Sequence, residues 1–273
     1  MAVRVGFVGT GGIAQLHMRH LQRMEDAQVV AMHDVAKGRA EAAASQFPGC
    51  QVYDSHQQLI EQARVDALWI CVPPFAHENQ EIDAAQAGIH LFVEKPIAIT
   101  TEKALEINEA ISKAGVIAAV GYNWRWLDIT ARAKEIVEAN PIALVLGYWL
   151  GGMPGVPWWR QKDQSGGQIV EQTTHIFDLA RYLLGEVCQV HAIGCRGYIQ
   201  NVENYDTEDA STVSLVFASG AVANISSTDL LPAGAGKIGV DLIGYDIRLE
   251  LGNRSLTVFR PGERVTYDSR VDP

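Results

Sequence analysis

Val3-Arg4-Val5-Gly6-Phe7-Val8-Gly9-Thr10-Gly11-Gly12-Ile13-Ala14, near the start of the chain, holds the pattern that decides the fold. Val3–Val8 is a short apolar run and reads as a strand. Ile13, Leu16, Leu21 and Met24 then recur at helical spacing, so a helix is expected over Ile13–Met24. The next strand, Gln28–Met32, stops at His33-Asp34, which puts an acid 20 positions after Ala14. Strand, glycine turn, helix, strand and terminal acid, in that order, are the context a dinucleotide-binding turn requires. A glycine turn that only joins strand to helix would need none of it. In this reading Gly9 permits the tight turn and Gly11 lets the backbone approach a pyrophosphate. Ala14, in place of a third glycine, still allows close helix–strand packing. Gly9, Thr10, Gly11, Gly12, Ile13 and Ala14 are thus the expected phosphate cradle, completed by the free N–H groups and partial positive charge of the helix N-terminus. Asp34 is placed to accept hydrogen bonds from the adenosine ribose, which favours NAD over NADP. Lys37 and Arg39, either able to meet a 2′-phosphate, keep NADP open.

The alternation continues outward from this unit. Helices are expected at Gly38–Gln46, Gln57–Gln62 (capped by Ser55), Asn79–Ala87 (stopped by Gly88) and Glu102–Lys113. Strands are expected at Asp66–Val72, His90–Val93 and Val116–Val120. Strand and helix in strict alternation imply a parallel sheet covered on both faces, and the strands are accordingly almost wholly apolar. The pattern changes after the helix Ile129–Asn140. Ile142–Leu150, Val187–Ile199, Ala210–Ala218, Ala221–Asp229, Ile238–Ile243, Arg248–Leu251 and Ser255–Arg260 read as strands, with tight hairpins at Ser219-Gly220 and Gly252-Asn253. One helix, Glu171–Leu184, interrupts them. The expected organisation is an α/β Rossmann dinucleotide-binding domain over residues 1–121, followed by an α+β domain with a mostly antiparallel open sheet over residues 122–273.

Composition narrows the partners. The chain has 273 residues, 48% hydrophobic and 20% charged, enough for two domains with real cores. A formal net charge of −10 with no basic block disfavours nucleic acid and acidic membrane surfaces. Cys50, Cys71, Cys188 and Cys195 form no CxxC pair, which fits free thiols in a reducing compartment better than disulfides or zinc. No metal-ligand cluster stands out. The start, Met-Ala-Val-Arg-Val, enters a strand at once, and no apolar run reaches the roughly 18 residues of a membrane span. A cytoplasmic protein is expected.

Two further elements carry chemistry. Glu94-Lys95-Pro96 follows the strand ending at Val93, at a carboxyl edge where open α/β sheets bind ligands. Pro96 fixes the backbone and would aim Lys95; spacing alone leaves a plain surface lysine equally open. On the later helix Glu171, His175 and Asp178 stand at i, i+4 and i+7, hence on one face, with Ile176, Leu179, Ala180 and Leu183 as the apolar stripe. Such a polar face is either solvated or one wall of a ligand site. Ser165-Gly166-Gly167 just before it suits a loop close to a ligand.

These elements together resemble the Gfo/Idh/MocA oxidoreductases. The resemblance rests on the Gly9–Ala14 turn, Asp34, Val72-Pro73-Pro74 with His77, Glu94-Lys95-Pro96, Gly121-Tyr122-Asn123-Trp124-Arg125-Trp126, and Gly166-Gly167 followed by Glu171, His175 and Asp178. It implies that Lys95 and His175 are catalytic and that Glu171 contacts substrate or assists. Pro73, Pro74, His77, Glu94 and Lys95 then line the cofactor site; His77 could equally cap the following helix. Asn123, Arg125, Trp158, Trp159 and Glu171 are the expected substrate contacts, with Tyr122 and Arg160 beside them. Trp158 and Trp159 serve equally as plain packing. The implied reaction moves a hydride between a secondary alcohol of a sugar, inositol or related polyol and nicotinamide. His175 would be general base, and Lys95 would stabilise the alkoxide. Two alternatives are carried: an NAD-dependent glycosidase using transient oxidation, and a non-catalytic NAD(P)-binding sensor. The family usually has Asp at Glu171 and often Gly at Thr173. The chain also ends short of the usual family length, as a shorter form or a sequence lacking its tail. A homodimer or homotetramer is expected, since an open antiparallel sheet leaves one face to cover.

Overall fold

Residues Met1–Gly121 form one unit and Tyr122–Pro273 a second; the computed structural model describes residues 2–271. The first unit runs β1 (Val3–Val8), α1 (Gly12–Leu21), β2 (Ala27–His33), α2 (Lys37–Ala44), β3 (Gln51–Val52), α3 (His56–Gln62), β4 (Ala67–Ile70), α4 (Gln80–Gln86), β5 (His90–Val93), α5 (Thr101–Ala114) and β6 (Ala118–Val120). Its six strands are ordered β3-β2-β1-β4-β5-β6, all parallel. The chain moves to one side of β1 and then crosses to the other, so the carboxyl end of β1 is the switch point of the sheet. The register pairs Val8 with His33 and Ile70, Ile70 with Val93, and Val93 with Val120. Gly9, Asp34, Cys71, Glu94 and Gly121 therefore stand in one row at the carboxyl edge.

Local chemistry explains where the helices begin and end. Ser55 Oγ accepts from Gln58 N at 3.2 Å and starts α3, as its sequence position implied. Thr100 Oγ1 accepts from Lys103 N at 3.3 Å at the head of α5, and Gly115 ends that helix with φ 68°. The first helix stops at Leu21 rather than reaching Met24, which is exposed. The two-residue strand β3 escapes a sequence reading because so short a run has no period. Two apolar clusters pack on the faces of the sheet, one around Phe7, Met18 and Met32, the other around Leu59, Leu68 and Ile70.

The second unit contains α6 (Asp128–Ala139), β7 (Ile142–Leu150), the short α7 (Lys162–Ser165), a π turn (Ile169–Thr173), α8 (Thr174–Leu184), β8 (Val187–Cys195), β9 (Ala210–Phe217), β10 (Val222–Thr228), β11 (Lys237–Gly244), β12 (Ile247–Leu251), β13 (Ser255–Arg260) and β14 (Glu263–Asp268). The eight strands are ordered β14-β13-β12-β11-β7-β10-β9-β8; only β7 with β10 is parallel. One face packs on α6 and α8 through Ile129, Ala133, Ile176, Leu179, Val145, Ile225 and Leu242. The other carries Asn224, Ser226 and Thr212, linked by side-chain hydrogen bonds. Two departures from expectation appear. β8 ends at Cys195, because Tyr198 N and Ile199 N donate to Asp209 Oδ2 instead of a strand neighbour. The last strand, β14, is an edge strand too polar to show an apolar run.

A single helix over Glu171–Leu184 is also corrected. The chain turns with π geometry through Ile169–Thr173 before the regular helix starts at Thr174. Apolar spacing cannot reveal a π turn, because the buried Ile176, Leu179, Ala180 and Leu183 all lie beyond it. Gly147 of β7 lets α8 lie close: a Cβ there would meet Ile176 Cγ2 at 2.7 Å and Ile225 Cγ1 at 3.0 Å. No described helix is long and apolar enough to cross a membrane. Replacing Gly147 with Ala should cost about 1–3 kcal/mol of stability through overpacking, read from the urea midpoint; an unchanged midpoint would show that α8 does not depend on this close approach.

Candidate active site

Gly9 holds the turn after β1 by a contact that only glycine allows. Its φ is 85°, and a Cβ would lie 2.6 Å from Cys71 O. Gly9 N donates to His33 O and Cys71 N to Val8 O, so the turn is stitched to both neighbouring strand ends. At Gly11 and Gly12 the reverse holds: a Cβ would meet nothing within 4 Å. The head of α1 has Gly11 as N-cap with no side-chain cap, which leaves its first N–H groups to be satisfied from outside. Open space above bare N–H donors is what a pyrophosphate requires, so these residues fit an NAD cofactor.

Asp34 sits where the sequence placed it, at the carboxyl end of β2, but its carboxylate is committed within the protein. Oδ2 accepts from Thr10 N and Thr10 Oγ1, both at 2.9 Å, and Oδ1 accepts from Ala36 N at 2.8 Å. Arg39 Nη2 lies 3.3 Å from Oδ1. Burial pushes the Asp34 pKa up, but the bonds from Thr10 and Ala36 and the charge of Arg39 outweigh it and leave it below the usual carboxylate value. Asp34 therefore shapes the glycine turn itself, a role its strand-end position did not disclose. Lys37 turns away to Asp54 at 2.7 Å, so Arg39 alone of the two basic residues stays beside Asp34.

The Glu-Lys-Pro element follows β5. Glu94 is gripped on three sides: His17 Nε2 of α1 at 2.7 Å from Oε1, Lys95 N at 3.1 Å from Oε2, and Gly121, where a Cβ would lie 2.9 Å from Oε2. His17 is edge-on to Phe92 at 4.8 Å. The glycine-turn helix and the lysine's backbone are thus tied through one carboxylate. The sequence reading named Glu94 but missed His17, whose only signal was its place three residues after Ala14. Lys95 is half-buried and its bond to Pro96 is cis. Pro74 begins a short turn ending at Ala76, and His77 follows it. His77 Nδ1 lies 2.5 Å from Glu81 Oε1, both side chains almost wholly buried. The ring is thus spent on a carboxylate of α4.

In the second unit, the polar face that the spacing left either solvated or one wall of a ligand site is buried: Glu171 is 4%, His175 8% and Asp178 9% exposed. Trp149 of β7 stacks on the His175 ring (5.7 Å between centroids, 17°), and Tyr122 meets it edge-on at 6.0 Å. Tyr122 Oη is 3.0 Å from Thr174 Oγ1, and burial pushes its phenol pKa up. Asp178 accepts from Arg125 Nε at 2.7 Å and Nη2 at 2.5 Å, so the Arg125 fork, expected on substrate, is engaged by an acid of α8. Asn123 is exposed. Trp158 and Trp159 form an edge-to-face pair at 5.5 Å, half-buried and outside the apolar core. Gly166 and Gly167 have φ of 77° and 87°, and Gly167 N donates to Ser165 Oγ at 2.9 Å; the pair closes α7 and leads into the π turn. Trp149 was missed because strand alternation marks it only as one more apolar residue of β7. Among the described residues no group of three or more His, Cys, Asp or Glu could hold a metal.

Residues 3–122 match the family model described as "Oxidoreductase family, NAD-binding Rossmann fold", and residues 131–251 match the GFO/IDH/MocA C-terminal domain. The chain is 30% identical to an inositol 2-dehydrogenase of Rhizobium meliloti, covering 92% of this chain and 73% of that protein. It is 28% identical to a scyllo-inositol 2-dehydrogenase (NAD(+)) of Bacillus subtilis, covering 94% and 73%. A dehydrogenase of Bordetella pertussis, solved in complex with NADH and UDP-GlcNAcA, is similar at 25% identity with a TM-score of 0.85, covering 95% of this chain and 77% of that one. Gly11→Ala should raise the NAD dissociation constant at least about tenfold by filling the cradle, with no change in melting temperature. Calorimetric titration checks it; equal affinity would remove the turn from the cofactor site.

Proposed function

The chain belongs to the Gfo/Idh/MocA family of oxidoreductases, and on that premise we propose that it oxidises a secondary alcohol of an inositol, sugar or related polyol with NAD. The observation that carries this reading is the retention of both proton-handling groups: Lys95 at the carboxyl edge of the NAD-binding sheet and the buried His175, preceded by Glu171. NAD, when bound, supplies the acceptor for the hydride that leaves the carbinol carbon. His175 takes the hydroxyl proton on a ring nitrogen; an imidazole titrates near neutrality and suits that work. Its ring is fixed by Trp149 and Tyr122, so its orientation is set before substrate arrives. Lys95, as an ammonium, hydrogen-bonds the hydroxyl and stabilises the developing alkoxide. Its backbone N–H on Glu94 holds the residue's position, while the side chain does the chemistry. Glu171 holds a neighbouring hydroxyl or tunes His175, one methylene longer than the usual Asp. Asn123, Trp158 and Trp159 serve as substrate contacts, and Arg125 acts through Asp178.

NAD is preferred over NADP in this reading, since Asp34 keeps negative charge at the end of β2 and Lys37 is occupied by Asp54. A homodimer or homotetramer is also proposed. Ile193 of β8, Leu146 of β7 and Val222 of β10 are exposed on the face of the second sheet that carries Asn224 and Ser226, where a symmetric partner would cover them.

A panel of inositols, sugars and sugar acids, assayed for NAD and NADP reduction, identifies the substrate. Lys95→Ala and His175→Ala should each lower turnover by roughly 10²–10⁴-fold while leaving NAD affinity largely intact. Normal turnover in both variants would overturn the mechanism.

A further inference from the structure

A buried histidine–glutamate pair stands just after β4 in the first unit. His77 Nδ1 lies 2.5 Å from Glu81 Oε1, with the two side chains 2% and 0% exposed. Gln80, also buried, grips the backbone on both sides of His77: its Nε2 donates to Ala76 O at 3.0 Å, and its Oε1 accepts from Glu78 N at 2.7 Å. The first turn of α4 thus fixes this histidine twice, its backbone surroundings through Gln80 and its ring through Glu81. One ring nitrogen remains. Nε2 has no hydrogen-bond partner among the described residues, yet the buried unpartnered atom of the pair is Glu81 Oε2, not Nε2. Nε2 is therefore the polar atom of the pair that can be reached from outside.

Strand order decides what passes this loop. β4 lies between β1 and β5 in the sheet. The turn after β1 bears the open cradle at Gly11 and Gly12, and Lys95 follows β5. Gly9 touches the start of the loop itself, since a Cβ there would lie 2.6 Å from Cys71 O and 3.1 Å from Val72 N. A dinucleotide with its pyrophosphate on the cradle and its nicotinamide at Lys95 must lay the ribose that joins them across the loop after β4. That ribose offers two hydroxyls, each able to donate and to accept. Val72-Pro73-Pro74-Phe75-Ala76-His77 has one polar side chain to meet them, that of His77, and its two prolines carry no N–H.

We propose that Glu81 is a positioning residue for the cofactor: by holding Nδ1 of His77, it leaves Nε2 to hydrogen-bond a hydroxyl of the nicotinamide-side ribose. This rests on the reading above that Lys95 marks the hydride end of the site. The contact does not depend on where the proton of the pair sits. A hydroxyl accepts from a protonated Nε2 and donates to a bare one. Glu81 contributes by ordering the ring before the cofactor arrives, so that the cost of fixing it is not charged to binding.

The test needs no alcohol substrate. The full chain is titrated calorimetrically with NAD, with ADP-ribose, which keeps the second ribose but lacks nicotinamide, and with ADP, which lacks both. His77→Leu and Glu81→Leu should each raise the dissociation constants of NAD and ADP-ribose about three- to tenfold, the worth of one hydrogen bond, and leave that of ADP within about twofold. The double variant should bind no more weakly than either single one, because the two residues act as a unit. Glu81→Gln, whose amide still pairs with Nδ1, should rescue NAD affinity to within about twofold of wild type. Nitrogen-15 NMR of labelled histidines reads the contact directly: NAD should shift the Nε2 signal that is absent in His77→Leu, and that shift should be lost in Glu81→Leu. A loss shared equally by ADP would show that the pair only supports the cradle, and a loss confined to NAD would move the contact from ribose to nicotinamide. Either result overturns the proposal, as does unchanged NAD affinity in both Leu variants. If a single variant fails to fold, the double variant, which leaves neither polar group buried alone, decides. A wild-type chain that shows the expected binding pattern but oxidises no polyol would sink the roles given to Lys95 and His175, and leave Glu81 and His77 on the cofactor.

Discussion

The first unit depends on how closely the chain passes itself at Gly9. Any side chain there would collide with the carbonyl of Cys71, so the ends of β1 and β4 can lie side by side only because the residue has none. From that contact the rest of the carboxyl edge follows. Asp34 closes on Thr10 and sets the shape of the turn. Glu94 reaches His17 on the helix that the turn begins and holds the amide of Lys95. At Gly11 and Gly12 the turn leaves open space, since a Cβ there would meet nothing within 4 Å. Cofactor binding and lysine placement are in this sense one packing arrangement.

The second unit solves a different problem, that of burying a histidine without isolating it. Gly147 and the apolar stripe of α8 draw the helix onto the sheet, and Trp149 and Tyr122 close around the imidazole. The π turn before α8 carries the buried Glu171 within electrostatic reach of Asp229. Both domains belong to one oxidoreductase family, and a buried histidine held between two aromatic rings suits a working site better than a plain core.

Much of the fold was legible because alternation of apolar runs with helical spacing survives any detail of packing. β5, β7 and β13 fall on the residues their patterns mark, and Ser55 caps α3 as its chemistry demands. The edge strands β3 and β14 were not legible, one too short for a period and one too polar for a stripe. The same limit applies to side chains. Asp34, Lys95, Glu171 and His175 could be singled out by position, but their partners could not. Thr10 was marked only as part of the glycine turn and not as a partner of Asp34, and Trp149 only as one more apolar residue of β7.

By itself, then, the sequence determined the two kinds of sheet, the glycine turn and its acid, and the residue types able to handle a hydride and a proton. Those depend on local chemistry: the period of a strand or helix, the conformational range of glycine, the functional group of a side chain. Only the tertiary structure decided that Asp34 is spent on its own turn, that Arg125 is held by Asp178, and that Glu171 lies within electrostatic reach of Asp229. Each of those is a pairing between residues from 24 to 58 positions apart, and long-range pairings are set by how elements pack, which no local pattern records.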